Sequence, residues 1–505
     1  MSGSAAQSFY APPPKPLKRT DTSAGKEWHQ RNVLSLDGGG IRGYWTLLVL
    51  ERLMESIGEQ ERLAENRGPQ ADLHSFLPCP YPENVTQCNV AETGRPHDKD
   101  VYRFLPCHYF DLICGTSTGS LIAMMLSRFR MTVKDCLDEY ERMSEGIFGR
   151  PRLLSQRNTL VLPWTKYSAS AMEKAFKDVT ARRCSQAERL ALDSQYHENP
   201  KFETTDGTCS MFATTYSRSI GGKATERSLY LLRSYEHENS ASRSLADTLP
   251  IKNFGPPEPM QIWQVARAAT AAPFYFKEIV FSPNGPNSKI HYSDGGFGST
   301  NNPTHIAINE LNLLHGAGKL GVIVSIGTAK ADNQGGGRSA FAHTTTAYQI
   351  ATNPNLVHDF VRKQNQSYEH YWRLNDEGGL KIGLDHWKPS YLTRKPGHRT
   401  IRIMRERFAI WLRENRDVDR QFDACAAELV QRRRARAQHE HLWECFATGV
   451  SKFKCKNLEC RREDVKYYSH RGGFEEHWRR VHSDEENAAD FKEPLVTRWD
   501  YQGRS

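Results

Sequence analysis

Tyr109-Phe110-Asp111-Leu112-Ile113-Cys114-Gly115-Thr116-Ser117-Thr118-Gly119-Ser120 is the stretch on which the reading of this chain turns. The apolar run up to Cys114 has the character of a buried strand, and Ser120 to Phe129 that of a helix. Between them stands a G-x-S-x-G run. Backbone that passes this sharply from strand to helix is strained and crowded at the tip, so glycines flank the tip residue. The Ser117 hydroxyl is thereby presented at a helix N-terminus, where unpaired N–H groups and the helix dipole favour negative charge. A nucleophilic serine, and with it hydrolysis or acyl transfer, follows from that placement.

A second glycine turn lies upstream, Asp37-Gly38-Gly39-Gly40-Ile41-Arg42-Gly43, after a short strand at 33–36 and before a helix from Tyr44 to Ile57. Gly38-x-Gly40-x-x-Gly43 also fits the dinucleotide fingerprint. Against that use, Tyr44 to Glu59 reads as one continuous helix, so neither Glu55 nor Glu59 ends a second strand. The fingerprint also leaves Ser117 unexplained. Consecutive glycines that expose backbone N–H groups to an oxyanion, with Arg42 adding positive charge, account for both turns. A serine needs a base. The order serine, acid, histidine would offer His305 or His315, neither of which stands in a distinctive turn. The best-placed acid is Asp294, in His291-Tyr292-Ser293-Asp294-Gly295-Gly296, where it closes an extended segment. Parallel-sheet enzymes gather their chemistry at such strand ends.

Further strands are expected at 209–215, 228–235 and 320–326. Helices are expected at 134–148, 169–179, 261–271 and 303–315. The alternation predicts an α/β three-layer sandwich with a mainly parallel central sheet. Residues 1–30 read as a disordered leader and 31–340 as the catalytic domain, with 59–103 a Pro-rich irregular insertion. After about residue 340 strand signals fade: 341–440 reads as a basic helical region, 441–490 as a candidate metal-binding unit and 491–505 as a tail.

Of the 505 residues 38% are hydrophobic, and no window approaches 18 consecutive apolar residues, so no membrane-spanning helix is expected. The N-terminal stretch lacks an apolar signal-peptide core. Eleven cysteines without tight even spacing suit free thiols in a reducing compartment. The expected location is therefore cytoplasmic with peripheral membrane contact, the nucleus being the alternative. Residues 391–482 carry 22 Lys and Arg against 13 Asp and Glu, which equals the net +9 of the whole chain. Such a region suits anionic partners, lipid head groups or nucleic acid; alternatively, Arg432-Arg433-Arg434 is a solvated helix face.

Asp-Gly-Gly-Gly-x-Arg-Gly, Gly-Thr-Ser-Thr-Gly and Asp-Gly-Gly, in this order, resemble the patatin-like phospholipase family. Supporting matches are Ala266 to Phe276, Asn301-Asn302-Pro303 and Val324-Ser325-Ile326-Gly327-Thr328, so the resemblance covers about residues 31–330. It implies lipid acyl hydrolysis by a Ser–Asp dyad, with Ser117 the nucleophile and Asp294 the base. Gly38, Gly39, Gly40 and Arg42 would form the oxyanion hole. The implied substrate is a phospholipid or lysophospholipid at a membrane surface, and an acyltransferase would use the same site. No calcium loop is evident, and no cofactor is expected for catalysis. The long gap before Ser117 and the basic C-terminal part depart from the compact form of the family. Pro273 to Phe276 is read as core packing.

Cys455-x4-Cys460-x16-His477-x4-His482 resembles a C2H2 zinc finger, with Phe453 and Phe474 at packing positions. These four residues are the candidate ligands of a structural zinc, which would supply the folding energy such a small unit lacks. The competing functional class is a nucleic-acid-binding or protein-binding regulator acting through this region.

Overall fold

The computed structural model describes residues 25–68, 73–76, 104–149, 165–183, 200–204, 206–220, 227–237, 253–273, 275–281, 289–297, 300–329, 354–364, 370–389 and 397–448, with 453–454, 467–468, 476–477 and 480 beyond them. Among these residues eight strands form one sheet: β1 (Arg31–Leu36), β2 (Leu112–Thr116), β3 (Ser210–Ile220), β4 (Ser228–Arg233), β5 (Ile279–Phe281), β6 (Lys289–Asp294), β7 (Leu320–Ile326) and β8 (Tyr371–Leu374). Their order is β5-β6-β3-β2-β1-β7-β8, with β4 against β3. The run from β3 to β8 is parallel, whereas β4 and β6 are antiparallel to β3, and β5 to β6. The sheet is thus mixed, with a parallel centre and an antiparallel flank.

The helices are α1 (Gly43–Ala64), α2 (Thr118–Ser127), α3 (Val133–Phe148), α4 (Ala169–Arg183), α5 (Ile262–Ala269), α6 (Thr304–His315), α7 (Pro354–Gln364), α8 (His398–Glu414), α9 (Arg416–Ala437) and α10 (Glu440–Thr448). Successive strand side chains point to opposite faces. Leu34, Leu36, Ile113, Met211, Val322 and Val324 accordingly join the core beneath α1, α2 and α3. Val33, Leu112, Phe212 and Ile323 meet Ala307, Ile308 and Leu311 of α6 and Val361 of α7 on the other face. Both faces are covered, as the apolar strand sequences require.

Residue 340 does not mark a packing boundary. Strand signals do not end there, because Tyr371–Leu374 pairs in parallel with β7. The helices beyond it are an integral part of the first core. Trp45 of α1 packs against Phe408 and Trp411 of α8, with ring centroids 5.3 and 5.6 Å away. The arginine run of α9 is neither a solvated face nor an open anionic-partner surface. Arg433 and Arg436 are buried, Arg433 against Glu61 at 2.5 Å and Arg436 against Asp111 at 2.8 Å. Arg432 pairs with Glu428 and Arg434 with Glu61 and Glu65. Two N-terminal boundaries also move. Lys26–His29 forms a helical turn whose Trp28 is buried against Phe446, and α1 continues through residue 64 into what reads as insertion. Among the described residues no helix is long and apolar enough to cross a membrane.

Of the candidate zinc ligands, Cys455, Cys460 and His482 lie outside the described residues, while His477 is in a helical segment. Phe453–Lys454 and Tyr467–Tyr468 pair as antiparallel strands, Tyr468 opposite Phe453.

Candidate active site

The length of β3 brings the two predicted catalytic residues together. Its eleven residues carry β2 along the first half, ending at Thr116 opposite Thr214. They carry β6 along the second half, ending at Asp294 opposite Thr215. Thr214 and Thr215 both pair with β4 on the other edge, so β2 and β6 share one edge of β3 and meet C-terminus to C-terminus. Ser117 follows the last residue of one strand, and Asp294 is the last residue of the other. The junction is tied by Thr116 Oγ1, which lies 2.7 Å from Thr214 Oγ1 and donates to the Thr300 carbonyl at 2.6 Å.

Ser117 has φ 52° and ψ −123°, a left-handed conformation that costs a non-glycine residue about 1–3 kcal/mol. The strain is held by close packing of α2 behind it: a Cβ on Gly119 would lie 2.3 Å from the Leu36 carbonyl oxygen of β1. The tip hydroxyl donates to Asp294 Oδ2 at 2.6 Å. The other carboxylate oxygen, Oδ1, accepts the Gly296 N–H at 2.8 Å. Burial pushes the Asp294 carboxyl up to about 6, against the opposing pull of those two hydrogen bonds and of the Arg227 charge. A buried carboxylate near 6 is a far better proton acceptor than one at its reference value of about 3.9. His305 lies instead on α6, 3.2 Å from Asn309 Nδ2 and against the Phe360 ring. Ser117 is thus hydrogen-bonded to Asp294, whereas His305 is held on α6 by Asn309 and Phe360.

The upstream glycine turn sits beside this pair. Gly38 donates its N–H to the Asn301 carbonyl at 3.1 Å, so that amide is engaged away from a reacting oxygen. Gly39 donates to Thr118 Oγ1 over a longer 3.3 Å. Gly40 has φ +57°, and a Cβ there would lie 2.1 Å from the Leu384 carbonyl oxygen, so glycine is required on both counts. Arg42 is buried, and its charge acts on the Tyr275 hydroxyl.

With this geometry, the comparisons with known proteins become interpretable. Residues 100–308 match the family model described as patatin-like phospholipase. The chain is 26% identical over 303 residues to the human calcium-independent phospholipase A2-gamma, covering 59% of this chain and 28% of that protein. It is 27% identical over 325 residues to phospholipase A I of Arabidopsis thaliana, covering 59% and 20%. Patatin-like phospholipase 1 of Plasmodium falciparum is 23% identical over 362 residues, covering 68% and 42%. The chain thus aligns with less than half the length of each of these relatives.

The patatin-like match contains Ser117 and Asp294 but not the glycine turn, which the structure nonetheless places against Thr118. Several supports of that turn escaped the sequence reading. Arg373 of β8 grips Asp37 through both guanidinium ends, at 3.0 and 2.6 Å. Tyr140 of α3 donates to the Gly40 carbonyl at 2.6 Å, and the Ile41 N–H donates to the Leu384 carbonyl at 2.7 Å. One signal was available in Tyr371-Trp372-Arg373-Leu374: a lone arginine in an aromatic, strand-like run demands a buried anion.

Proposed function

We propose that this protein is a lipid acyl hydrolase that cleaves carboxylic esters of phospholipids or lysophospholipids at a membrane surface. The observation that carries the reading is the 2.6 Å hydrogen bond from Ser117 Oγ to the buried Asp294 carboxylate. Asp294 removes the hydroxyl proton as Ser117 attacks the ester carbonyl. Negative charge then develops on the carbonyl oxygen. Gly39 and Gly40, with the buried Arg42, supply positive potential for it, Gly39 trading its long bond to Thr118. Gly38, expected as a further donor, serves instead to hold the turn on Asn301. Collapse of the tetrahedral species releases the alcohol or lysolipid with the proton from Asp294, leaving an acyl-Ser117. Water, deprotonated by the same carboxylate, releases the fatty acid. The names of the mammalian relatives describe those proteins as calcium-independent, which accords with a route that uses only these side chains.

The test is acyl release from phospholipid, lysophospholipid and triglyceride vesicles in EDTA, wild type against Ser117→Ala. Serine-dependent release of free fatty acid is expected. Acyl groups appearing only on an added alcohol or lysolipid would redefine the protein as an acyltransferase. Turnover retained by Ser117→Ala would end the assignment.

For the C-terminal segment we propose a structural zinc held by Cys455, Cys460, His477 and His482. The antiparallel pairing of Phe453–Lys454 with Tyr467–Tyr468 supports it, since both cysteines fall between those strands in the sequence, ahead of helical residues 476–477. Metal analysis of the full chain should find about one zinc, lost in Cys455→Ser.

A further inference from the structure

Thr116, Thr214 and Thr215 stand together where β2 and β6 meet on β3, and two of them have engaged hydroxyls. Thr116 and Thr214 lie 2.7 Å apart through their Oγ1 atoms, and Thr116 donates onward to the Thr300 carbonyl. Thr215 differs. It is fully buried, and its Oγ1 has no hydrogen-bond partner. Burying a hydroxyl without a partner is unfavourable, so such a group in a folded core calls for a reason.

The reason lies in its neighbour. Thr215 is directly opposite Asp294 across β3 and β6. Directly opposed residues of an antiparallel pair share a face. Ala213 and Tyr292, two residues before Thr215 and Asp294, both belong to the core beneath α1, α2 and α3, which fixes that face. The Asp294 N–H points away from β3, to the Ala271 carbonyl at 3.1 Å. Thr215 and Asp294 are therefore a non-hydrogen-bonded pair, the kind whose side chains come closest.

In the resting enzyme Asp294 has no need of this hydroxyl, because Oδ2 accepts from Ser117 at 2.6 Å and Oδ1 from the Gly296 N–H at 2.8 Å. That changes once Ser117 carries an acyl group. Its Oγ is then an ester oxygen with no proton to donate. The carboxylate keeps only Gly296 at the moment it must act as base toward water. A buried carboxylate short of donors is costly and poorly oriented.

We infer that Thr215 is a positioning residue for deacylation: in the acyl-enzyme its hydroxyl donates to the Asp294 carboxylate in the place that Ser117 has left. The inference rests on the hydrolase reading. Asp294, so held, takes a proton from water as the water oxygen bonds to the acyl carbon. The bond from that carbon to Ser117 Oγ then breaks, the proton passes from Asp294 to Oγ, and the fatty acid leaves.

Acyl-Ser117 is followed by rapid quench and intact-protein mass after the full-length protein is mixed with a p-nitrophenyl fatty ester. Thr215→Val keeps the shape and removes the hydroxyl. It should form the acyl-enzyme within about twofold of the wild-type rate yet lose it at least about tenfold more slowly, the effect of one hydrogen bond to a charged group. Thr215→Ser should restore the decay. Wild-type decay in Thr215→Val would overturn the inference. So would equal slowing of both steps, or a Thr215→Ser as slow as Thr215→Val, since either reduces the residue to packing. A second readout needs no turnover. Ser117→Ala also takes the donor from Asp294 Oδ2, so in that background Thr215→Val should lower the melting temperature at pH 8 by about 2 °C. With Ser117 present the same change should leave it unchanged or raised. Equal shifts in the two backgrounds would overturn the inference. If Thr215→Val does not fold, Thr215→Ala takes its place in both assays. A wild type that forms no acyl-Ser117 refutes the hydrolase reading, and the melting comparison still decides whether Thr215 is the reserve donor to Asp294.

Discussion

Ser117 and Asp294 each sit in a state that folding alone would not select. The serine occupies a left-handed backbone conformation with φ 52°. Glycine adopts such angles without the Cβ clash, so Ser117→Gly should be inactive yet melt above Ser117→Ala, by about 1–2 kcal/mol of stability. Equal melting temperatures would mean that the turn is unstrained. Asp294 is buried with its carboxyl raised to about 6. Because the folded value lies above the unfolded one of about 3.9, its contribution to stability is fully present below pH 4 and lost as pH rises through 6. Activity has the opposite sign, since only the carboxylate accepts the serine proton. Ester turnover should rise with pH on a limb centred near 6. Asp294→Asn keeps both hydrogen bonds if its Oδ1 takes Gly296 N–H and its Nδ2 donates to Ser117. It should therefore abolish turnover and gain up to about 3 kcal/mol at pH 8, read by denaturant unfolding. A destabilised Asp294→Asn would show that the carboxylate is held by more than these two partners.

At the level of elements, the site depends on pieces whose sequence signals differ in strength. The β2–α2 elbow was legible because local backbone strain requires glycine at fixed offsets, and the β1–α1 glycine turn for a related reason. Asp294 was legible as a strand end, but its closeness to Ser117 was not: that follows from β3 being long enough to seat β2 and β6 in succession. Non-local register of this kind leaves no local mark. β8 was missed because four residues rich in aromatics, after a long polar stretch, give too short a periodic signal. Yet β8 supplies Arg373, which holds buried Asp37 at the head of the glycine turn. Arg373→Leu should cost about 3–5 kcal/mol by taking the two-pronged guanidinium away from that buried carboxylate. It should also lower kcat more than it raises KM, as expected of a residue that positions oxyanion donors rather than binding lipid. Arg373→Lys should recover only part of either, since an ammonium cannot reproduce the two-pronged contact. A wild-type kcat in a folded Arg373→Leu protein would detach the salt bridge from the turn's placement.

Across the whole molecule, the 400–448 helices close the core that the sequence reading had assigned to residues 31–340 alone. Charge composition misled here: a run such as Arg432-Arg433-Arg434-Ala435-Arg436 reads as surface because arginine is rarely buried, and only the tertiary placement of Glu61 and Asp111 reveals its partners. Glu61 is the hub, accepting from Arg433, Arg434 and the Tyr109 hydroxyl, so it joins α1, α9 and the approach to β2 at one point. Arg433→Leu should cost about 1–3 kcal/mol because it removes the two-pronged partner of a buried carboxylate and leaves it only Arg434 and the Tyr109 hydroxyl. Adding Glu61→Leu removes the under-compensated charge and should restore part of that loss, a coupling that a surface arginine would not show. The stronger consequence concerns the fragment ending at residue 340, which a compact catalytic domain would predict to be sufficient. Without α8 and α9 it would leave Trp45 facing water in place of Phe408 and Trp411, together with Glu61 shorn of its arginines and the Asp37 end of the glycine turn without Arg373. Each of those costs several kcal/mol against a typical total of about 5–15. Such a fragment should bind a hydrophobic dye, melt without a cooperative transition and lack Ser117-dependent esterase activity. A cooperative melt with retained turnover would show instead that the helices merely decorate a core complete without them.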